Sequence, residues 1–201
     1  MKKNHKQHNG EFTDKYTEAS GIAKKLINSF FAAVTNLIPP DTQSIKEVGC
    51  GAGFSMEHIK RAVPDAKLCG SDIDPVLVEM ARKKNPGVSF ETESIYELPD
   101  ADNSYDVVIC LEVLEHLENP KAALKELCRI SKSKVIISTP REPIWCALNM
   151  ARGKYWTSLG NTPGHINHWS SRGLRTFVSS ELTVQDVRTP LPWTIVLATK
   201  I

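Results

Sequence analysis

The feature that most constrains the fold is a regular alternation between short apolar runs and segments with helical spacing. The runs "SIKEV" at 44–48 and "YDVVICLEV" at 105–113 have the length of strands, whereas "PKAALKELCRI" at 120–130 repeats its apolar residues every three or four positions. The longer runs are nearly continuously apolar, as in strands that are buried on both faces. Because parallel strands are joined by helical crossovers, this order predicts a parallel sheet with helices on both faces.

The end of the chain breaks this alternation. Two apolar runs, "LTVQDVRT" and "WTIVLATK", are joined only by "PLP", which is too short for a crossover and requires an antiparallel pair. The sequence therefore predicts an α/β fold with a Rossmann-like, doubly wound, seven-strand mixed sheet, in which five parallel strands precede a C-terminal antiparallel hairpin. The five parallel strands are expected at residues 44–48, 66–72, 87–92, 105–113 and 134–140.

The length of 201 residues predicts one domain over residues 1–201. The polar start, residues 1–12, is expected to be flexible. Residues 13–40 are expected to form a helical cap, since "GIAKKLINSFFAAVTNLI" places apolar residues four apart and is followed by Pro39 and Pro40. Residues 141–180 interrupt the strand–helix order and are expected to form a lid or insertion.

Charge and composition restrict the classes of function. The formal net charge of +2 is too small to indicate a nucleic-acid-binding protein by itself, although it leaves RNA open. No run approaches the roughly 18 apolar residues of a membrane span, and "MKKNHKQHNG" lacks the apolar segment of a signal peptide. Five cysteines without a C-x-x-C pair indicate reduced thiols. We expect a cytoplasmic protein without membrane contact.

A glycine-rich turn, "EVGCGAGF" at 47–54, follows the first predicted strand. In an open α/β sheet this turn usually forms the floor of the ligand site. Its glycines, Gly49, Gly51 and Gly53, have the spacing G-x-G-x-G and not the G-x-G-x-x-G of dinucleotide-binding enzymes. The following helix N-terminus favours an anion, but the carboxylate of Glu47 at the same edge disfavours one. A cationic or zwitterionic ligand without phosphate satisfies both features.

The pattern E-x-G-x-G-x-G, with an acid at the end of the second strand, resembles the class I S-adenosylmethionine-dependent methyltransferases, of the small-molecule, type 11-like kind. The resemblance extends from about residue 45 to residue 201 and includes "GSDIDPVLVEMAR", "SIYELPDADNSYDVVICLEVLEHLENP" and "VIISTP". It implies S-adenosylmethionine as cofactor and S-adenosylhomocysteine (SAH) as product. The three glycines would then approach the amino-acid part of the cofactor, and Glu47 would interact with its ammonium group.

The same resemblance implies residues for the rest of the cofactor. Asp72 would accept hydrogen bonds from the ribose hydroxyls, while the rival Asp74 precedes Pro75 and is better explained as a helix cap. Ile73 and Ile95 would enclose the adenine, and Leu111, at the end of strand four, would lie against the methionine part. Many relatives carry aspartate where this chain has Ser94, so backbone groups are expected to contact the adenine edge here.

A second group of polar residues follows strand four. In "CLEVLEHL", Glu112, Glu115 and His116 have the spacing i, i+3 and i+4 and would share one face of a helical turn; "GHINHWS" adds His165 and His168. Carboxylates and imidazoles suit a divalent cation. The arrangement resembles the metal site of small-RNA 2'-O-methyltransferases and, in part, ubiquinone-pathway O-methyltransferases. It implies a possible metal held by Glu112, Glu115, His116 and His165.

The same group of residues is also compatible with roles that need no metal. His116 or His165 could act as a metal-free base or positioning group, or the residues could only support the turn. The sequence thus predicts methyl transfer to an unidentified small-molecule acceptor by in-line displacement. One alternative is a metal-assisted O-methyltransferase acting on RNA or a catechol-like hydroxyl. The second alternative is a non-catalytic cofactor-binding scaffold or regulatory protein.

Overall fold

The computed structural model describes residues 21–200, and the predicted flexible segment and the first part of the predicted cap lie outside these residues. The helices are α1 (Gly21–Thr35), α2 (Phe54–Ala62), α3 (Pro75–Lys84), α4 (Pro120–Ile130), α5 (Ile144–Ala151) and α6 (Ser171–Val178). The strands are β1 (Ser44–Val48), β2 (Lys67–Asp72), β3 (Ser89–Thr92), β4 (Tyr105–Leu111), β5 (Ser131–Pro140), β6 (Thr183–Arg188) and β7 (Trp193–Thr199). Each predicted strand is present.

The strands form one sheet with the order β3-β2-β1-β4-β5-β7-β6. Strands β1 to β5 pair in parallel, whereas β7 lies between β5 and β6 and is antiparallel to both. The predicted α/β mixed sheet with its C-terminal antiparallel hairpin is therefore confirmed. The chain reverses its direction of travel across the sheet between β1 and β4, which is where ligands bind in open α/β sheets.

Apolar side chains cover both faces of the sheet, as the continuous apolar runs predict. On one face Met56 and Ile59 of α2 pack with Ile109 and Ile136 of the sheet, and all four are at most 1% exposed. On the opposite face the helices α4 and α6 contribute Leu124, Leu127 and Leu174, which are fully buried. Each such side chain contributes about 1.5 to 3 kcal/mol by leaving water.

Side-chain caps fix the starts of two crossover helices. The Asp74 carboxylate accepts a hydrogen bond from the Val76 N–H at 2.8 Å, and Pro75 occupies the first turn of α3. Asn119 caps α4 in the same way through the Ala122 N–H at 3.1 Å. The predicted helix cap at Asp74 is confirmed.

The predicted insertion, residues 141–180, contains α5, a short 3-10 turn (Trp156–Ser158) and α6. Its start is bonded to the residue that precedes β7 and to a later part of the insertion itself, because the Arg141 N–H donates to the Pro192 carbonyl at 2.9 Å and the Glu142 N–H to the Trp169 carbonyl at 3.0 Å. The insertion therefore begins at the carboxyl edge of β5, beside the start of β7. None of the helices between residues 21 and 200 is both long and apolar enough to cross a membrane.

Candidate active site

The glycine turn after β1 is held by the backbone of β2. The N–H groups of Gly49 and Cys50 both donate to the Ser71 carbonyl, at 2.7 and 2.9 Å. Gly49 has φ +77°, and a Cβ atom there would lie 2.3 Å from a methyl carbon of Val113. The position therefore requires glycine both for its backbone conformation and for the close approach of the segment after β4.

The last glycine of the turn connects two helices. Gly53, at φ +74°, immediately precedes α2, and its carbonyl accepts a hydrogen bond from the Asn85 side chain at 2.9 Å. Asn85 ends α3, is 4% exposed and also donates to the Ala81 carbonyl at 3.2 Å. The N-terminus of α2 is thus fixed against the C-terminus of α3.

Glu47 is a buried acid at the end of β1, with a residue exposure of 1%. One carboxylate oxygen accepts a hydrogen bond from the Ser55 hydroxyl, and the second, Oε2, has no hydrogen-bond partner within residues 21–200. Burial, with a smaller contribution from the negative charge of Asp72, raises the pKa of Glu47 to about 8. A cationic ligand group would supply the missing partner and favour the ionised form.

Asp72 lies at the carboxyl end of β2, next to the turn. Its two oxygens accept hydrogen bonds from the Gly51 N–H at 2.8 Å and the Asp74 N–H at 2.9 Å. Burial raises the pKa of Asp72 in spite of these bonds. Each carboxylate oxygen has a second lone pair, so Asp72 can still accept hydrogen bonds from a diol.

The residues predicted to enclose the adenine differ in exposure. Ile73 is 70% exposed at the end of β2, whereas Ile95 is 9% exposed and packs in the core with Val48 and Leu98. Ser94 is half-buried, and its hydroxyl accepts a hydrogen bond from the Tyr96 N–H at 3.3 Å. The exposed Ile73 is the apolar side chain of this group that a ligand could cover, and the adenine assignment stays a prediction.

A cleft runs from the glycine turn to the end of β4, under α1. Its lining combines the polar atoms of Glu47 and Ser55 with apolar and aromatic side chains: Phe30, Phe31, Cys50, Phe54 and Leu111, together with Gly49 and Glu112. The Phe30 ring lies 4.8 Å from the Trp193 ring, and Trp193 lies 6.1 Å from Trp145. The cleft brings the predicted residues Glu47, Gly49 and Leu111 together.

Glu112 does not occupy the helical position that its spacing predicts. It has φ +58°, and the 3-10 turn after it begins only at Leu114 and ends at His116. Its carboxylate accepts hydrogen bonds from the Ser138 hydroxyl at 2.9 Å and the Trp193 indole N–H at 2.8 Å. The prediction that Glu112, Glu115 and His116 share one helical face is therefore wrong, because the backbone turns sharply at Glu112.

Three of the four predicted metal-binding residues do come together. Glu115, His116 and His165 each offer a ligand atom, and these atoms lie within 4.8 Å of one another. Glu115 and His165 are buried, whereas His116 is exposed. The His116 Nδ1 lies 3.0 Å from the Gly164 carbonyl, so that nitrogen donates a hydrogen bond to it. Glu112 is not part of this cluster.

Hydrogen bonds from the insertion bring His165 to the end of β4. The N–H groups of Ile166 and Asn167 donate to the Glu115 carbonyl at 2.9 and 3.0 Å. The Asn167 side chain donates to the carbonyls of Leu114 at 3.2 Å and Leu117 at 2.6 Å. The segment around His165 is therefore fixed to the 3-10 turn, while His168 is directed to Glu142 at 3.6 Å.

Sequence reasoning missed the residues that support the site. Ser55 could have been suspected, because it stands in the first turn of the helix that follows the glycines. Trp193 and Asn167 had no such signal, since their partners are remote in sequence; Trp193 and Glu112 are 81 residues apart.

Comparison with known proteins agrees with this geometry. Residues 46–138 match the family model described as a methyltransferase domain. An uncharacterized methyltransferase of Schizosaccharomyces pombe is 35% identical over 102 residues, which are 45% of this chain and 37% of that protein. A ubiquinone biosynthesis O-methyltransferase of Xanthomonas oryzae is 29% identical over 167 residues, 74% of this chain and 67% of that protein. The chain thus spans little more than a third of the first relative.

Solved structures share the fold. The magnesium protoporphyrin IX methyltransferase of Synechocystis, determined with bound SAH, superposes with a TM-score of 0.69 at 20% identity and covers 96% of each chain. Residues 46–138 thus match a methyltransferase domain, and the chain shares the fold of S-adenosylmethionine-dependent methyltransferases of known structure.

Proposed function

We propose that this protein transfers a methyl group from S-adenosylmethionine to a small-molecule acceptor by in-line displacement. The observation that carries the proposal is Glu47, a carboxylate that is 1% exposed, lies in the cleft and has one oxygen without a hydrogen-bond partner within residues 21–200. A buried acid of this kind is costly unless a ligand supplies a partner. The ammonium group of the cofactor is a suitable partner, so the residues present fit the group.

The chain's own residues would divide the work of binding. Gly49, Gly51 and Gly53 allow the backbone to approach the ligand, Glu47 binds a cation, and Asp72 binds a diol. Ile73, Ser94 and Ile95 would hold the base, and Leu111 would contact the methionine part. The cofactor supplies an activated methyl group. The protein would therefore have to align the acceptor with this methyl group and exclude water.

The acceptor would enter between the cleft and the insertion, residues 141–180, which we propose acts as a lid. Two relatives, by their names, act in ubiquinone biosynthesis and on magnesium protoporphyrin IX, which favours a small molecule over RNA as the acceptor. The aromatic rings of Phe30, Trp145 and Trp193 near the cleft suit an acceptor with apolar surface.

Titration calorimetry with SAH tests the cofactor assignment, and we expect saturable binding with one site. Absence of SAH binding would contradict the cofactor assignment and, with it, the proposed reaction. Incubation with methyl-labelled S-adenosylmethionine and separate panels of hydroxyl, amine and RNA acceptors tests the reaction. Label on a small molecule is expected. Label on RNA alone would favour the RNA alternative, and binding without transfer to any acceptor would favour the scaffold alternative.

A divalent metal ion at Glu115, His116 and His165 is a second candidate, and we propose it because their ligand atoms lie within 4.8 Å of one another. Three protein ligands leave coordination positions for an acceptor hydroxyl, whose pKa a metal ion would lower. The proton on His116 Nδ1, held by the Gly164 carbonyl, makes Nε2 the nitrogen that would bind the metal. Without a metal, His116 or His165 would serve as the base for the acceptor proton.

The metal is tested by measuring transfer in the presence of a chelator and after addition of Mg²⁺, Mn²⁺ or Zn²⁺. We expect His165→Ala to remove the metal response while SAH still binds. His168→Ala is the matched control, because His168 is 41% exposed and faces Glu142. Turnover of the unaltered protein that is indifferent to chelator and metal would rule the metal out.

A further inference from the structure

Lys46 is a buried cation that the cofactor cleft does not use. It precedes Glu47 on β1 and is 3% exposed. Because successive side chains of a strand point to opposite faces, Lys46 and Glu47 lie on opposite sides of the sheet. The Lys46 ammonium contacts the Glu93 carboxylate at 2.6 Å and also the Asp100 carboxylate.

These contacts keep the lysine charged. Burial alone would lower the pKa of Lys46, but hydrogen bonds and charge interactions with Asp100 and Glu93 outweigh it, so the pKa is raised. The Tyr105 hydroxyl donates to the second Asp100 oxygen at 2.7 Å and completes the network. A buried charge with two carboxylate partners fixes the position of both.

The network holds the segment between β3 and β4. Glu93 directly follows β3, and its N–H donates to the Asp72 carbonyl at 3.0 Å. At the far end of the segment, Arg129 of α4 donates to the carbonyls of Leu98 at 2.8 Å and Asp100 at 2.6 Å. Lys46 therefore reaches both ends of the segment, through Glu93 and Asp100, from the centre of the sheet.

The segment contains Ser94 and Ile95, which our proposed function assigns to the adenine. The only polar side-chain group of these two residues is the Ser94 hydroxyl, which already accepts a hydrogen bond from the Tyr96 N–H, so in the proposed function recognition of the base edge would depend on backbone groups of this segment. Backbone groups can discriminate between bases only if the segment is held in one conformation before the ligand arrives.

We propose that Lys46 is a positioning residue for cofactor recognition: through Glu93 and Asp100 it holds residues 93–100 so that the backbone at Ser94 and Ile95 discriminates adenine from other bases. The inference rests on the proposed function. Adjacent residues of β1 thus serve opposite ends of one ligand, Glu47 the ammonium group and Lys46 the base.

The test compares binding of SAH with binding of S-inosylhomocysteine, in which a carbonyl replaces the amino group of the base. Calorimetry on the full chain gives the ratio of the two dissociation constants. In Lys46→Met, which keeps the apolar stem and removes the charge, we expect this ratio to fall about tenfold, the effect of one misplaced hydrogen bond. Lys67→Met makes the same change at an exposed position of β2 and should leave the ratio unchanged.

A purely structural role would lower stability without changing this ratio, so a ratio within twofold of the unaltered protein would overturn the inference. Failure of the unaltered protein to bind SAH would instead contradict the proposed function. If Lys46→Met does not fold, Tyr105→Phe carries the test, since it removes one hydroxyl from the same network. We expect its ratio to fall about threefold, and an unchanged ratio in that variant would equally overturn the inference.

Discussion

The glycine turn after β1 and the insertion of residues 141–180 meet at the same edge of the sheet, but different interactions hold them. The turn is fixed by backbone hydrogen bonds to β2 and by glycines whose conformation other residues resist. The insertion is fixed by backbone hydrogen bonds from Ile166 and Asn167 to the Glu115 carbonyl and, in addition, by a side chain that reaches backbone carbonyls, that of Asn167 on Leu114 and Leu117. The turn, which depends on glycine backbone conformations, should tolerate few substitutions, whereas the side-chain part of the bonding in the insertion can be changed by substitution without altering the backbone of the sheet.

The largest effect on SAH affinity is expected at Glu47, at the end of β1, where the glycine turn and the insertion should differ most in their response to substitution. Glu47→Gln removes the charge that would bind the cofactor ammonium, a loss of about 3 to 5 kcal/mol for a buried pair. We expect SAH affinity, measured by calorimetry, to fall on the order of 1,000-fold. Glu57→Gln, an exposed carboxylate on α2, is the control and should bind normally. Normal binding by Glu47→Gln would remove Glu47 from the cofactor site.

The raised pKa of Glu47 predicts a pH dependence of stability. In the ligand-free folded protein its pKa is about 8, against an ordinary value of 4.5, so the folded state binds more protons between these values. The free energy of unfolding should therefore decrease as pH rises from about 4.5 to about 8. Urea titrations should show a weaker decrease in Glu47→Gln, and equal slopes for both proteins would contradict the buried-acid assignment.

Substitution at Gly49 tests the rigidity of the turn. Gly49→Ala places a methyl group 2.3 Å from Val113 at a left-handed backbone position. We expect a loss of about 2 to 4 kcal/mol in the free energy of unfolding, combining backbone strain with overpacking. Adding Val113→Ala should recover only the overpacking part. Full recovery in the double variant would mean that the backbone conformation is not what requires glycine.

The two acids at the end of β2, Asp72 and Asp74, should differ in their effect on SAH affinity by a smaller margin. Asp72→Asn should weaken SAH binding about tenfold, the effect of losing a hydrogen bond to a charged acceptor. Asp74→Asn should leave affinity within about twofold, because asparagine caps helices as well as aspartate does. A calorimetric comparison in which Asp74→Asn has the larger effect would reverse the assignment of the ribose.

The smallest effect on the cofactor is expected from the insertion. Asn167→Ala removes the side-chain bonds to Leu114 and Leu117 and should cost about 1 to 3 kcal/mol locally. We expect faster hydrogen exchange in residues 161–168 and slower methyl transfer, with SAH affinity unchanged. A parallel loss of SAH affinity would show that the two sides of the site are coupled.

Much of the fold around the glycine turn could be predicted because its signals are local. Apolar periodicity identified the strands, and the pair Asp74-Pro75 identified the start of α3. The partner of Glu112 could not be predicted, since Trp193 reaches it only after β7 has paired with β5. The prediction that Glu112 shares a helical face with Glu115 and His116 is wrong for a related reason. The backbone turns sharply at Glu112, next to the close contact between Gly49 and Val113. Long-range packing has no short-range sequence signal.

The contact between Phe30 and Trp193 has a consequence for synthesis. Trp193 begins β7, the strand that the ribosome adds last among the described elements, and β7 lies between β5 and β6. A growing chain that already carries the glycine turn and Glu47 still lacks the ring on which Phe30 rests and the indole that bonds to Glu112. The wall of the cleft is therefore completed only after β7 has been made and has paired with β5, and we expect a nascent chain to hold its ligand only after that point.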